Sequence, residues 1–143
     1  MSKIKVVVHG VMGKMGQQVL NSVTEAEDMI PVGGADYMLA TNEVALPDNT
    51  GTVKGSKDLQ QVISGADVVI DFTNADGARN VMSIAALNGV NCVIGSTGLS
   101  KEDIDLADDL ADDNNISIFI APNFAMGGVL MMHLVRELSL IHI

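Results

Sequence analysis

The chain has 143 residues, of which 48% are hydrophobic and 3% aromatic, and its formal net charge at pH 7 is −10. This length suits one ordinary domain, with a core of aliphatic side chains and methionine of the kind that fills a buried parallel sheet. The acidic balance excludes nucleic acids and anionic membrane surfaces as partners, because binding a polyanion requires an excess of Lys and Arg.

A cytoplasmic location is expected from two features of the sequence. No signal peptide is apparent, and no apolar stretch approaches the roughly 20 residues of a membrane-spanning helix. The single cysteine, Cys92, cannot form an internal disulfide. Because Cys92 lies in an apolar strand pattern, we interpret it as a small buried side chain, with a reactive thiol as the alternative.

The first predicted strand runs into a glycine-rich turn and then a helix over residues 14–26, in the stretch IKVVVHGVMGKMG. Glycines 10, 13 and 16 lack the Cβ atoms that would keep the backbone away from a phosphate, and the helix directs its free N–H groups at the anion. We interpret this stretch as a pyrophosphate cradle. Val11 stands where the strict G-x-G-x-x-G fingerprint has its first glycine.

The second predicted strand covers residues 29–35 and is followed by Asp36, twenty residues after Gly16. A dinucleotide fold places an acid at this distance to bind the adenosine ribose, and the alternative is an acid in a solvated loop. Residues 37–55 lack periodicity and predict a surface excursion with at most one short strand. Ser56 is a candidate N-cap for a short helix that extends to Ile63.

The rest of the chain continues the alternation, with strands at residues 66–72, 90–94 and 116–121 and helices at 75–87 and 100–113. Ser100 is expected to cap the second of these helices. Its predicted inward side chains are Ile104, Leu106, Ala107, Leu110 and Ala111. A last helix is predicted after Gly127-Gly128.

Several other residues could suggest chemistry but receive structural interpretations. The acidic residues at positions 108, 109, 112 and 113 are expected to form the solvated face of a helix, so no metal site is predicted. His133 and His142 lack partners at metal-binding spacing. His9 stands at the mouth of the glycine turn, where a structural role is expected and a cofactor contact is the alternative.

This order of elements predicts an α/β fold, a Rossmann-like doubly wound parallel sheet in a single domain. Each buried strand ends abruptly in polar or glycine-rich residues, and the carboxyl ends of parallel strands share one edge of the sheet. The glycine turn, Asp36 and the residues at positions 71–74, 95–98 and 122–124 should therefore line one crevice.

Four blocks of the sequence resemble one reductase family. They are GVMGKMG at residues 10–16, IDFT at 70–73, IGSTG at 94–98 and APNFAMG at 121–127. In this order and approximate spacing they resemble 4-hydroxy-tetrahydrodipicolinate reductase, also called dihydrodipicolinate reductase, of lysine and diaminopimelate biosynthesis. The resemblance extends over residues 4–137. It implies an oxidoreductase in which NAD(P)H reduces a small cyclic dicarboxylate.

The resemblance, together with the residue pattern, assigns cofactor contacts along the crevice. The expected cofactor-binding residues are Gly10, Val11, Met12, Gly13, Lys14, Met15, Gly16, Asp36, Phe72, Thr73, Gly95, Ser96, Thr97, Ala121, Pro122, Asn123 and Phe124. Thr97 is also expected to contact a substrate carboxylate.

Departures from the family pattern refine these expectations. Ser96 replaces a usual Thr and keeps its hydroxyl, whereas Ala125 replaces a frequent Ser and does not. Tyr37 stands where some members carry an Arg that would hold a 2′-phosphate. Asp36 without that Arg favours NADH, with NADPH as the alternative if Lys14 offsets the acid.

Family members continue into a second domain with a His-His pair, a Lys and a Ser-Gly-Thr motif, which supply the catalytic acid, bind substrate and form a homotetramer. None of these motifs occurs here, and Arg136 is the only Lys or Arg after Lys101. We therefore expect residues 1–137 to be a dinucleotide-binding domain, residues 138–143 to be a non-native tail of a truncated reductase, and no catalytic residue to lie in this chain. The alternatives are a non-catalytic NAD(P)-binding or redox-sensing module and, more remotely, a binder of acyl-CoA or another nucleotide.

Overall fold

A seven-stranded sheet forms the centre of the fold. The structure is a computed structural model that describes residues 2–121. The strands are β1 (Ile4–His9), β2 (Met29–Ala35), β3 (Glu43–Ala45), β4 (Thr52–Ser56), β5 (Val68–Asp71), β6 (Asn91–Ile94) and β7 (Ile118–Ile120). The helices are α1 (Lys14–Glu25), α2 (Ala75–Asn88) and α3 (Lys101–Asn114). The predictions for Pro122, Asn123, Phe124, His133, His142, the helix after Gly128 and the tail at 138–143 lie outside the described residues.

The strand order is β3-β4-β2-β1-β5-β6-β7, and every pair is parallel except β3 with β4. From β1, the chain adds β2 and β4 on one side of the sheet. It then crosses to the other side of β1, where it adds β5, β6 and β7. This reversal opens a crevice at the carboxyl ends of β1 and β5, where open α/β sheets bind their ligands. The predicted Rossmann-like fold is confirmed.

Strand β1 is buried on both faces, because helices cover both sides of the sheet. Val6 and Val8 pack into a cluster with Leu20 of α1, whereas Val7 belongs to the cluster on the opposite face that contains Met82 of α2. Each of these five side chains is fully buried. The position of the glycine turn after β1 is therefore set by the hydrophobic core on both sides.

Residues 37–55 correct one prediction, since they contain two strands rather than at most one. β4 pairs in parallel with β2, and β3 pairs antiparallel with β4 and forms the sheet edge. Ser56 is the last residue of β4, and Asp58, rather than Ser56, caps the 3-10 helix Leu59–Gln61. These short strands have little periodicity of their own, so their conformation depends on pairing, of β4 with β2 and of β3 with β4.

Helix α3 corrects a second prediction. Ile104 and Leu106 are 45% and 42% exposed, whereas Asp103 and Ala107 are buried. Asp103 is tolerated there because Arg79 of α2 donates from Nε to its Oδ1 at 2.8 Å. Ser100 and Asp103 form a capping box, which confirms the predicted helix start.

We predict that Asp103→Asn lowers stability at neutral pH. The Arg79 guanidinium holds the pKa of the Asp103 carboxyl below its ordinary value. A lowered folded pKa contributes stability that is complete above the unfolded pKa of about 3.9 and is lost as pH falls through the folded pKa. Urea unfolding should therefore show a deficit at pH 7 that shrinks in acid. Asp109→Asn, at an exposed position of α3, is the control, and a deficit independent of pH would contradict the role of the charge.

Candidate functional site

The turn between β1 and α1 requires two of its glycines for its own packing. Gly10 has φ +80°, and a Cβ there would lie 2.7 Å from the Phe72 carbonyl oxygen. A Cβ on Gly16 would collide with the Gly10 carbonyl oxygen. Gly10 N also donates to Ala35 O of β2 at 2.8 Å. These glycines thus let the turn fold tightly between β2 and β5.

Gly13 has a different role, because it is the N-cap residue of α1. Its φ of −72° and ψ of 161° are accessible to any residue, and it has no side chain to cap the helix. The first turn of α1 contains no acidic residue either. By contrast, Asn74 caps α2 and Ser100 caps α3. The first N–H groups of α1 are therefore available to an anion.

Val11 has its side chain fully buried beneath the turn, in the cluster with Leu20. A Cβ on Gly34 of β2 would lie 3.1 Å from a Val11 methyl, so valine fills the space above this glycine. Its carbonyl oxygen accepts a hydrogen bond from Gln17 Nε2 at 2.6 Å. This packing explains why valine replaces the first fingerprint glycine, and it directs the Val11 side chain away from the crevice.

Asp36 is buried, with 7% of its surface exposed, and its carboxylate holds two loops together. Oδ2 accepts from Met12 N and Oδ1 accepts from Met38 N, both at 2.9 Å. The alternative of an acid in a solvated loop is wrong. Because each carboxylate oxygen has about two acceptor positions, Asp36 can also accept hydrogen bonds from a ligand hydroxyl.

Asp71, at the end of β5, lies at the centre of a buried polar network. Its carboxylate is 2.7 Å from His9 Nδ1, and it accepts from Thr73 Oγ1 at 2.8 Å and from Ser96 Oγ at 2.5 Å. Ser96 Oγ in turn accepts from Thr73 N at 2.9 Å. The network links the ends of β1, β5 and β6, and it provides the structural role expected for His9.

These elements enclose a cleft of about 420 Å³ at the carboxyl edge of the sheet. It is lined by His9, Gly10, Gly13, Asp36, Tyr37, Met38, Lys57, Phe72, Thr73, Asn74 and Gly77. The structure thus brings together five of the expected cofactor-binding residues, namely Gly10, Gly13, Asp36, Phe72 and Thr73, and with them Asn74 of the predicted crevice. Lys57 was missed, and Asp71 was placed at this edge within residues 71–74 without its hydrogen-bonding role. A carboxylate at the end of a buried strand was the available signal for Asp71, since it must find donors.

Among residues 2–121, the other proposed residues lie outside the lining of this cleft. Met12 and Met15 are each 47% exposed and Lys14 is exposed, at the start of α1. Gly95 lies against Phe72, where a Cβ would collide with the aromatic ring. Thr97 follows β6 and Ala121 follows β7, so both lie at the same edge of the sheet.

Two other kinds of site find no support in residues 2–121. In this part of the chain no group of three or more His, Cys, Asp or Glu residues could hold a metal ion, and no helix is long and apolar enough to span a membrane.

Cys92 is buried, and burial, with a smaller effect of Asp71, raises the pKa of its thiol to about 12. Because the thiolate is the reactive form, this cysteine is unsuited to redox sensing.

Comparison with known proteins identifies the family. A family model described as dihydrodipicolinate reductase, N-terminus, matches residues 4–124. The chain belongs to this family. A 4-hydroxy-tetrahydrodipicolinate reductase from Dehalococcoides mccartyi is 45% identical over 141 residues, which are 97% of this chain and 54% of that protein. The chain therefore spans about half the length of such reductase relatives.

Solved structures agree with this family membership. A dipicolinate-bound dihydrodipicolinate reductase from Paenisporosarcina sp. TG-14 is 30% identical with a TM-score of 0.75, covering 91% of this chain and 51% of that one. Homoserine dehydrogenase from S. aureus, at 15% identity and a TM-score of 0.71, covers 86% of this chain and 33% of its own. The second likeness concerns the fold alone.

We predict that Asp71→Asn destabilises the chain and loosens the edge of the cleft. The amide N–H group of asparagine would face one of the groups that now donates a hydrogen bond to Asp71. Losing that hydrogen bond should lower the free energy of unfolding by about 1–3 kcal/mol. Urea unfolding measures this cost, with Asp109→Asn as the surface control. Unchanged stability would contradict the network.

Proposed function

We propose that this chain binds a nicotinamide dinucleotide and forms the cofactor half of a reductase. In the reaction, NAD(P)H reduces 4-hydroxy-tetrahydrodipicolinate to tetrahydrodipicolinate, a step of lysine and diaminopimelate biosynthesis in the cytoplasm. The observation that carries the proposal is the uncapped start of α1 at Gly13, which opens onto a cleft that also contains Asp36. Family membership supplies the reaction, since the relatives are named for it.

The described residues fit such a cofactor from one end of the cleft to the other. The pyrophosphate would accept hydrogen bonds from the first N–H groups of α1, beside Gly10 and Gly13. Asp36 would accept hydrogen bonds from the adenosine ribose hydroxyls. Phe72 and Thr73 lie further along the cleft, toward Ser96. When bound, the nicotinamide would supply the hydride.

The nicotinamide end is assigned to the loops that follow β5, β6 and β7. Asp71 holds Thr73 and Ser96 in place, and Gly95 lets the Phe72 ring lie directly against the backbone. We include Gly95, Ser96, Thr97 and Ala121 in this part of the site, together with Pro122, Asn123 and Phe124. Thr97 is proposed to bind a substrate carboxylate as well.

Turnover is proposed to require sequence beyond this chain. Two substrate carboxylates need positively charged partners, which Lys or Arg can provide. Among the described residues that line the cleft, Lys57 is the one with a permanent positive charge. It lies beside Asp36, away from the Ser96 end where the nicotinamide and the substrate are proposed to bind. The relatives are about twice as long. We propose that their second half supplies substrate binding, proton donation and homotetramer contacts.

We predict that Gly13→Asp separates nucleotide binding from stability. The new carboxylate would cap the first N–H groups of α1, as aspartate does at N-cap positions, while its Cβ would lie 3.2 Å from the Gly10 carbonyl oxygen. These effects oppose each other, so stability should change by less than about 1 kcal/mol. The same carboxylate would compete with the pyrophosphate and repel it. NADH affinity, measured by calorimetric titration, should fall by about tenfold or more.

Ser64→Asp is the matched control for the added charge. Ser64 is exposed and precedes β5, at the edge of the sheet opposite the cleft. NADH affinity should remain within about twofold of the original value in this variant, given that screening weakens a distant exposed charge. Failure of the unaltered chain to bind either NADH or NADPH would refute the proposed function.

A turnover assay tests the reductase assignment. We expect no NADPH- or NADH-dependent reduction of 4-hydroxy-tetrahydrodipicolinate by this chain, and activity when it is fused to the second half of the D. mccartyi relative. Full activity of the 143-residue chain would refute the need for that half. A fusion that binds NADH but never reduces the substrate would favour the non-catalytic module.

A further inference from the structure

We propose that Lys57 binds the 2′-phosphate when NADPH occupies the dinucleotide site. This inference rests on the proposed dinucleotide site and adds a specificity residue to it. It also departs from the preference for NADH that Asp36 and Tyr37 suggested from the sequence. The structure supplies a cation that sequence reasoning had not placed at the site.

The position of Lys57 follows from strand pairing. β4 lies beside β2 in parallel, with Ser56 opposite Ala35 as the last pair of the register. Asp36 N donates to Ser56 O at 3.1 Å, which holds the two strand ends together. Lys57 directly follows β4 and Asp36 directly follows β2, and both residues line the cleft. A group bound to the ribose hydroxyls near Asp36 would therefore lie within reach of a lysine side chain.

The ammonium group of Lys57 is available for such a ligand. Within residues 2–121, Lys57 makes no hydrogen bond or ion pair, whereas Lys54 Nζ donates to Gln61 O at 2.6 Å. The neighbouring Asp58 accepts from Gln60 N at 3.0 Å in capping the 3-10 helix, and it forms no ion pair with Lys57. The exposed Lys57 thus keeps an unpaired ammonium group at the cleft.

Asp36 would normally repel a 2′-phosphate, but its environment weakens this effect. Both carboxylate oxygens already accept backbone N–H groups, from Met12 and Met38, and these dipoles partly offset the negative charge. Lys14, the alternative cation, lies at the start of α1 near the proposed pyrophosphate position and outside the cleft lining. Lys57 is therefore the better placed of the two.

The test compares NADH and NADPH affinities of the 143-residue chain by nicotinamide fluorescence titration. Lys57→Gln should weaken NADPH binding by about tenfold, the usual scale of one charge-assisted contact. NADH binding should change by less than about twofold, because NADH lacks the phosphate. Lys57→Arg should restore NADPH affinity.

Lys3→Gln is the matched control, since it removes one positive charge from an exposed residue at the opposite edge of the sheet. It should leave both affinities unchanged. If the original chain binds NADH while Lys57→Gln loses neither cofactor, or loses both equally, the role of Lys57 is overturned and the dinucleotide site stands. If the original chain binds neither cofactor, the dinucleotide site and the role of Lys57 are both overturned.

Discussion

The buried carboxylate of Asp71 is the constraint on which the cleft edge depends. A fully buried carboxylate must accept hydrogen bonds, because losing its hydration without compensation costs several kcal/mol. Here the side chains of His9, Thr73 and Ser96 surround it, and each comes from the end of a different strand or the loop after it. The need to satisfy one group thus fixes the loops after β1, β5 and β6 relative to one another.

The glycine turn is held against this edge by contact between backbones. Gly10 lies on the Phe72 carbonyl group, and Gly16 lies on the Gly10 carbonyl group, so neither position has room for a side chain. Gly13 is less restricted, since a Cβ there would lie 3.2 Å from the Gly10 carbonyl oxygen, and it stands at the open start of α1. The three glycines therefore have different roles. Gly10 and Gly16 allow the backbone of the turn to pack closely, and Gly13 leaves the N-terminus of α1 available to an anion.

The elements with strong local signals were predicted within a few residues. Strand β2 has the predicted bounds, and α2 begins at the predicted residue and ends at Asn88, one residue beyond the predicted end. At most one short strand was predicted over residues 37–55, because β3 and β4 depend on pairing, β4 with β2 and β3 with β4, rather than on their own periodicity. Lys57 was missed for the same reason, since its place beside Asp36 follows from that pairing.

The sequence alone determined the alternation of strands and helices, the glycine turn and the blocks that indicate the reductase family. These features are read from neighbours along the chain, where hydrophobic periodicity and helix caps act. Only the tertiary structure decided the partners of Asp71, the burial of Asp36 and the position of Lys57. His9 and Asp71 are 62 positions apart and Met12 and Asp36 are 24 apart, so strand order and register are needed to bring them together, as they also bring Lys57 beside Asp36.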